Sequence, residues 1–458
     1  MSNELKSEVA WRGDAVTIGD VLEALSVIRR KFAHAEAGDE EQPHPRNCVM
    51  SLVAVTTSAA DERRAQRACT AVSADHPSLA IVVCEEPNVA SDRIDASITT
   101  HTIPTTTAPV PCELITLHVR GAAGEHLAGL VDPLLASGVP AYLWWLDTPP
   151  FGEKELVDAL RICDALVVDS ARFDRPYQNF LGLADLALSS HTHLGIADLQ
   201  WARLAPWREA IAQFFEPKER RNFMAGIADL GIDYVGDGRG NRIAAALLVG
   251  WFASAVGWKA ERAVGGKGGV VVAHFATETG RQLEVAFRPV SKPHLAQGEV
   301  SAVRIQGAAG GSTFELSVQR DPERRHRLTA ETGPSELRQR HRPGGDDDAG
   351  FEVAQRKAEQ QREMLLRSRD ALHHTATGDL PGERPLSTTV LARERRRNDS
   401  ALVLLTKIDI GEADTLRQVQ RVEPDDEPTL LLKLLSVGAH DVVYARSLAA
   451  AAQLMRSL

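Results

Sequence analysis

The sequence predicts an α/β protein in pieces: an N-terminal open doubly wound α/β domain, then an α+β domain with an antiparallel sheet, then a C-terminal helix plus small α/β appendage. Three observations carry this. Through about residue 195, short apolar runs alternate with helical-period segments at the spacing of crossover units, which favours parallel strands. From 196 to about 330 the strand-like runs follow one another across Gly-rich or polar turns, which favours antiparallel pairing. Beyond about 321, Arg and Asp crowd the chain, and a strand and helix alternation returns only at 401. The expected domains are therefore 1–195, 196–330, a charged linker and polar helix at 331–400, and the appendage at 401–458.

The elements follow from local pattern. Val21, Leu22, Leu25 and Ile28 recur at three- and four-residue steps and predict a helix over 15–33. Strands are expected at 48–55, 79–84, 114–119, 141–146 and 165–168, with helices near 126–136 and 153–163 between the later ones. Pro206 suits a first helical position, and Trp207, Ile211, Phe214 and Phe215 form one apolar face behind it. A second apolar helix is expected over 241–257, with Ala244, Leu247, Leu248, Trp251 and Phe252. Strands at 270–275, 283–287, 301–305 and 313–318 complete the α+β domain, and a weakly striped polar helix spans 351–374. No internal repeat interrupts this order.

Composition excludes some classes of function. The chain has 458 residues and a net charge of −10, with 52 basic against 62 acidic side chains. A mildly acidic chain is a poor partner for nucleic acid or an anionic membrane, both of which need clustered Lys and Arg. Nucleic acid and membrane are therefore not expected partners. The N-terminus does not read as a signal peptide, and no apolar run nears the roughly 18 residues of a membrane span, so a cytoplasmic location is expected. The five cysteines, Cys48, Cys69, Cys84, Cys112 and Cys163, are odd in number and lack CxxC spacing, which argues for reduced, mostly buried thiols.

Several constellations invite chemistry and have plainer readings. The turn after the first strand of the α/β domain, Thr56 to Asp61, has no glycine for a dinucleotide phosphate, and its hydroxyls fit a helix cap equally well. His191 and His193 with Asp198 lack a fixed third ligand for a metal. Gly236 to Arg242 could form an anion nest, though a turn capped by Asn241 explains it more simply. Gly265 to Gly269 lacks the ending of a phosphate loop and reads as a hairpin. No cofactor, metal or catalytic residue is expected, and no multi-residue catalytic signature appears.

The densest segment runs from Asp198 through Trp201, Arg203, Trp207 and Arg208 to Glu209. Trp and Arg are the residue types most enriched at binding hot spots. The run resembles the signature of the OpcA family, the glucose-6-phosphate dehydrogenase assembly proteins. Val139 to Asp147 is similar to that family's double-Trp strand, Cys163 to Ser170 to the strand after it, and Leu247 to Trp258 to its Leu-Leu-x-x-Trp helix. Together these cover roughly residues 15–320; the final segment departs from the family pattern.

The resemblance implies a non-catalytic assembly factor and allosteric activator that binds glucose-6-phosphate dehydrogenase in the oxidative pentose phosphate pathway. Its expected contacts are Trp201, Arg203, Trp207, Arg208 and Asp198, with Trp144, Trp145 and Asp147 as a second group. If those indoles are buried, the alternative is that they only join domains. A rival function from another class is an enzyme or sensor that binds a sugar phosphate or nucleotide between the two domains, with the arginines as an anion clamp. Stoichiometry and oligomeric state are left open by the sequence.

Overall fold

The computed structural model describes residues 7–37, 48–103, 110–189, 194–236, 241–293, 295–320, 402–411, 414–422, 425–437 and 440–457. It divides into two compact units. The first comprises Met1–Ala205, Tyr234–Val300 and Asp425–Leu458, the second Pro206–Asp233 and Ser301–Pro424. His191, His193, the expected helix at 351–374 and the acidic run at 346–348 lie outside the described residues.

The first unit is built on an eight-stranded sheet. Its strands are β1 (Ser7–Gly13), β2 (Met50–Thr56), β3 (Ser78–Glu86), β4 (Arg93–Ile103), β5 (Val110–Arg120), β6 (Ala141–Trp145), β7 (Ala165–Val168) and β8 (Gly195–Asp198), in the order β1-β4-β5-β3-β2-β6-β7-β8. Pairing from β5 to β8 is parallel throughout. That block has the doubly wound order 3-2-1-4-5-6, so the topological switch falls between β2 and β6. The parallel strands are Val-, Ile- and Leu-rich and buried on both faces, every residue of β2 being buried.

Strands β1 and β4 have no counterpart in the sequence reading. β4 pairs antiparallel with β5, and β1 antiparallel with β4. Thr99, Thr100, His101 and Thr102 dilute the apolar signal of β4, whose burial alternates only in part. A strand of that composition becomes legible once a neighbour is in place.

Helices α1 (Ile18–Ala37), α2 (Ala59–Asp75), α3 (Leu127–Val131), α4 (Lys154–Leu160) and α5 (Pro176–Leu188) connect these strands, and α6 (Leu199–Arg203) follows β8. Ser58 caps α2, its side chain accepting from the Ala60 N–H, as its residue type predicts. α7 (Ala205–Phe215) follows α6, and its apolar face, from Trp207 to Phe215, belongs to the second unit. α8 (Ile243–Val256) returns to the first unit and ends at Gly257, whose φ of 70° terminates the helix. Asn241 Oδ1 accepts from the Ile243 N–H just ahead of this helix, whose N-cap is Arg242, and residues 237–240 of the expected turn lie outside the described residues.

β9 (Ile227–Val235) precedes α8, and its last two residues are counted with the first unit. β10 (Lys259–Gly265), β11 (Val271–Ala276) and β12 (Gln282–Val290) form an antiparallel ladder in the first unit, with the glycines after Val264 as the hairpin loop. In the second unit, β13 (Val300–Ala309), β14 (Ser312–Arg320), β15 (Leu402–Ile410) and β16 (Asp414–Val422) pair antiparallel in sequence order. Phe214, Phe215, Phe223 and Phe314 pack there with ring centroids 4.7–6.3 Å apart.

The closing residues do not stand apart. β15 and β16 extend the second unit's ladder, whereas α9 (Glu427–Val437) and α10 (Val442–Arg456) belong to the first unit. α9 packs on α2 and α6, and α10 on α8, α5 and β10. Leu430, Leu431 and Leu435 enter the same core as Ala65, Cys69 and Trp144. α8 is buried nearly all round, as its uniformly apolar sequence requires. Gly250 makes room for α10: a Cβ there would lie 2.2 Å from the Ser447 carbonyl oxygen.

Candidate functional site

Asp198 ends β8 and starts α6, so its backbone is extended while its carboxylate faces a helix start. Oδ1 accepts from the backbone N–H groups of Ser170 (3.0 Å) and Gln200 (2.9 Å), and Oδ2 accepts from Ser170 Oγ (2.6 Å). Tyr444 of α10 donates its hydroxyl to Oδ2 at 3.3 Å. Burial pushes the Asp198 carboxyl up to about 6, against the lowering effect of the Ser170 bonds. Burial also drives the Tyr444 phenol well above its usual range, and the Asp198 charge adds to it.

Trp201 lies one turn further along and donates its indole N–H to Asp441 Oδ2 at 2.9 Å. The other oxygen of Asp441 caps α10 by accepting from the Tyr444 N–H. The Trp201 and Tyr444 rings meet at a centroid distance of 5.6 Å. Arg203 closes the node with a fork to Asp169, at 2.6 and 2.8 Å. Burial opposes the Arg203 charge, yet the Asp169 carboxylate outweighs it and the pKa ends above the ordinary value. Glu427 at the start of α9 pairs with Arg64 of α2 at 2.7 Å. The first half of the signature therefore serves as the socket for the last two helices.

The indoles singled out from the sequence are buried: Trp144 at 0%, Trp145 at 5%, Trp201 at 2% and Trp207 at 1% exposure. Asp198, Trp201 and Arg203 come together in one network, while Trp144 sits in the core with its indole nitrogen unpartnered. Asp147, Arg203 and Arg208 are half-buried, with side chains that solvent reaches. Asp169, Ser170, Asp441 and Tyr444 complete the network and lack any spacing pattern that would link them; the last two lie more than 240 residues from Asp198.

Trp145 and Asp147 belong to a second feature. A crevice of about 750 Å³ opens at the carboxyl ends of β2, β3, β5 and β6, where doubly wound sheets bind ligands. Asp147 sits at its switch point. Its Oδ2 accepts from the Thr57 N–H (2.9 Å) and from Thr56 Oγ1 (2.9 Å), ahead of the N-terminus of α2. A carboxylate thus takes the donors that a nucleotide phosphate would use. Glu85, Asp92, Glu155 and Asp174 also line the crevice, against one arginine, Arg172, which pairs with Asp61. Burial and the adjacent Glu155 raise the Glu85 carboxyl to about 8. Glu85 is therefore largely protonated at neutral pH, and the carboxylates of Asp92, Asp147, Glu155 and Asp174 are what make the lining unfavourable to pyrophosphates and sugar phosphates.

The thiols are free. Burial raises Cys69 and Cys163 to about 12 and Cys84 and Cys112 to about 11, which keeps them protonated in the metal-free chain. Among the described residues no helix is long and apolar enough to cross a membrane.

Comparison with known proteins matches two family descriptions to the chain. Residues 69–185 match the glucose-6-phosphate dehydrogenase subunit N-terminal domain, and residues 194–448 match the corresponding C-terminal domain. The OpcA protein of Synechococcus elongatus, named for the OxPP cycle, is 33% identical over 243 residues, 51% of this chain and 53% of that one. Its namesake in Nostoc punctiforme is 28% identical over 349 residues, 75% of this chain and 69% of that one. The chain thus spans about half the length of the Synechococcus relative. Among solved structures, a UDP-N-acetylglucosamine 3-dehydrogenase from Acidithiobacillus ferrooxidans aligns over 89% of this chain and 97% of its own at 11% identity, with a TM-score of 0.36.

Proposed function

The chain belongs to the OpcA family of glucose-6-phosphate dehydrogenase assembly proteins, and from that premise we propose that it binds glucose-6-phosphate dehydrogenase as a non-catalytic assembly factor and activator, in the cytoplasm. The observation that carries the non-catalytic reading is the Asp147 carboxylate at the switch point of the doubly wound sheet. With Asp92, Glu155 and Asp174 around it, the crevice disfavours the phosphates of NADP and glucose 6-phosphate. Arg203 is engaged by Asp169, which weighs against an anion clamp and against the rival of a sugar-phosphate or nucleotide sensor.

An activator must bind the active state of its partner more tightly than the inactive one. A coupling of about 1–3 kcal/mol changes substrate affinity roughly 5- to 150-fold. Among the eight residues expected at the contact, Asp147, Arg203 and Arg208 have the side chains that can reach a partner. Asp198 and the indoles of Trp144, Trp145, Trp201 and Trp207 act through the fold that they hold.

The test is the initial rate of the cognate dehydrogenase against glucose 6-phosphate, with and without the chain. A lower half-saturation or a higher maximum is expected. Arg208→Ala should weaken activation compared at equal amounts of folded protein, and Trp201→Phe should lower stability while preserving activation by each folded molecule. Overlaid curves with no complex on size exclusion would end this reading, and a large thermal shift with NADP or glucose 6-phosphate alone would favour the sensor.

A further inference from the structure

We propose that Glu62, Cys84 and His118 form a binding site for a zinc-type divalent metal ion, on the sheet face beneath the first turns of α2. These residues are distant in sequence and carry no ligand spacing. The fold brings them together from three elements.

Cys84 of β3 and His118 of β5 are register partners on adjacent parallel strands, so their side chains stand side by side on one face. Glu62 reaches them from the helix that covers that face. One ligand atom from each, Sγ, an imidazole nitrogen and a carboxylate oxygen, lies within 4.8 Å of the other two. His118 Nε2 is 3.5 Å from Glu62 Oε1. Zinc bonds of about 2.0–2.3 Å in a tetrahedron separate ligand atoms by roughly 3.3–3.8 Å. Small side-chain rotations therefore close the trio on an ion.

The surroundings fit such a site. Gln66, one turn along α2, donates to Glu62 Oε1 at 3.0 Å and reaches Thr116 Oγ1 at 3.2 Å, fixing the carboxylate as an outer partner of a metal ligand does. Glu62 and Cys84 are buried, whereas the His118 side chain is 35% exposed, so an ion has a path in and a water can take the fourth position. A thiol, an imidazole and a carboxylate favour zinc over magnesium or calcium, which prefer all-oxygen sites. A contact between His118 and Glu62 alone needs no sulfur, and Cys84 supplies the softest donor of the three. Binding displaces the Cys84 thiol proton to solvent and forms a metal–thiolate bond, with no change of oxidation state. The bound ion would tie α2 to β3 and β5.

The experiment uses the full chain, stripped with a chelator and titrated with Co²⁺ as a spectroscopic stand-in for Zn²⁺. One Co²⁺ per chain is expected, with a thiolate-to-cobalt charge-transfer band that Zn²⁺ abolishes. Cys69→Ser, which removes a different buried thiol, should keep the band, and Cys84→Ser should lose it. Should Cys84→Ser fold poorly, His118→Gln serves instead, because its half-exposed side chain is replaceable without unfolding; it too should lose the band. Gln66→Ala should weaken binding about 10- to 100-fold. No band with the wild-type chain, or a band that survives in folded Cys84→Ser or His118→Gln, would overturn the proposal.

Discussion

Trp201 donates its indole N–H to Asp441 across 240 residues of sequence, and the same carboxylate caps the final helix. The side chain that looks most like an exposed anchor is thereby a clasp that holds α10 in the first unit. Trp201→Phe keeps the ring contact with Tyr444 but removes the donor, and should cost about 1.5–3 kcal/mol, the range for a hydrogen bond to a charged group. Trp201→Ala also removes the ring and should cost about 3–5 kcal/mol. Urea denaturation with equal m-values measures both; a loss under 0.5 kcal/mol for Trp201→Ala, about what a surface substitution costs, would mean that the clasp does not hold α10.

Gly250 and Ser447 make a steric counterpart to that clasp. An added Cβ at 250 would meet the Ser447 carbonyl oxygen at 2.2 Å and the Ala451 nitrogen at 2.8 Å, and both are backbone atoms that cannot swing aside. In an exposed helix Gly→Ala stabilises by up to about 1 kcal/mol. Here Gly250→Ala should instead destabilise by about 1–3 kcal/mol, as overpacked cores do, and should loosen α10 first. Hydrogen exchange resolved by segment would show faster exchange over 442–456. Unchanged protection there would place the two helices further apart than described.

These contacts show where the sequence was readable. The parallel strands were legible because Leu52 to Val55 and Ile81 to Val83 are unbroken apolar runs with one structural solution at that length. The helix of α10 was legible only from Ser447 on, because Asp441 to Tyr444 reads as a short strand, whereas it caps and opens a helix whose buried face carries Tyr444, Leu448, Ala451 and Met455. Its target was not, since a stripe states that a face is covered and not by what. The same limit applies to the signature: Trp and Arg are the residue types of hot spots and also of satisfied internal networks, and only the position of Asp441 and Asp169 separates the two. Asp147 at the switch point stands out in the sequence only through its neighbours Trp144 and Trp145, whereas its bonds to Thr56 and Thr57 depend on β2 and β6 being adjacent.

Asp169 is 1% exposed and its carboxylate is held by both terminal nitrogens of Arg203. Removing the arginine leaves a buried charge without its main partner, which in fully buried pairs costs about 3–5 kcal/mol. Since the Arg203 side chain is 35% exposed, solvent screens part of this, and Arg203→Ala should cost roughly 2–3 kcal/mol. Arg203→Lys should recover less than half, because an ammonium cannot reproduce the fork. Thermal denaturation at two ionic strengths checks this, and a full rescue by lysine would mean that charge alone matters.

Asp198 ties the network to pH. Its folded carboxyl is raised to about 6 by burial, against about 3.9 for an unfolded Asp, so between these values the folded state binds more protons than the unfolded one. Stability therefore falls as pH rises from about 4 to 6 and levels off above, the opposite of the usual carboxylate that gains hydrogen bonds on folding. The loss from this group is on the order of 3 kcal/mol for a shift of this size. Asp198→Asn should be less stable overall, because it cannot accept from Ser170, Gln200 and Tyr444 together, but its stability should lack this descending limb. The diagnostic quantity is the difference in unfolding free energy between wild type and variant, measured from pH 4 to 7. A difference that shrinks as pH rises identifies Asp198 as the titrating group; a constant difference would show that its carboxyl is ionised throughout, held so by the Ser170 and Gln200 N–H groups.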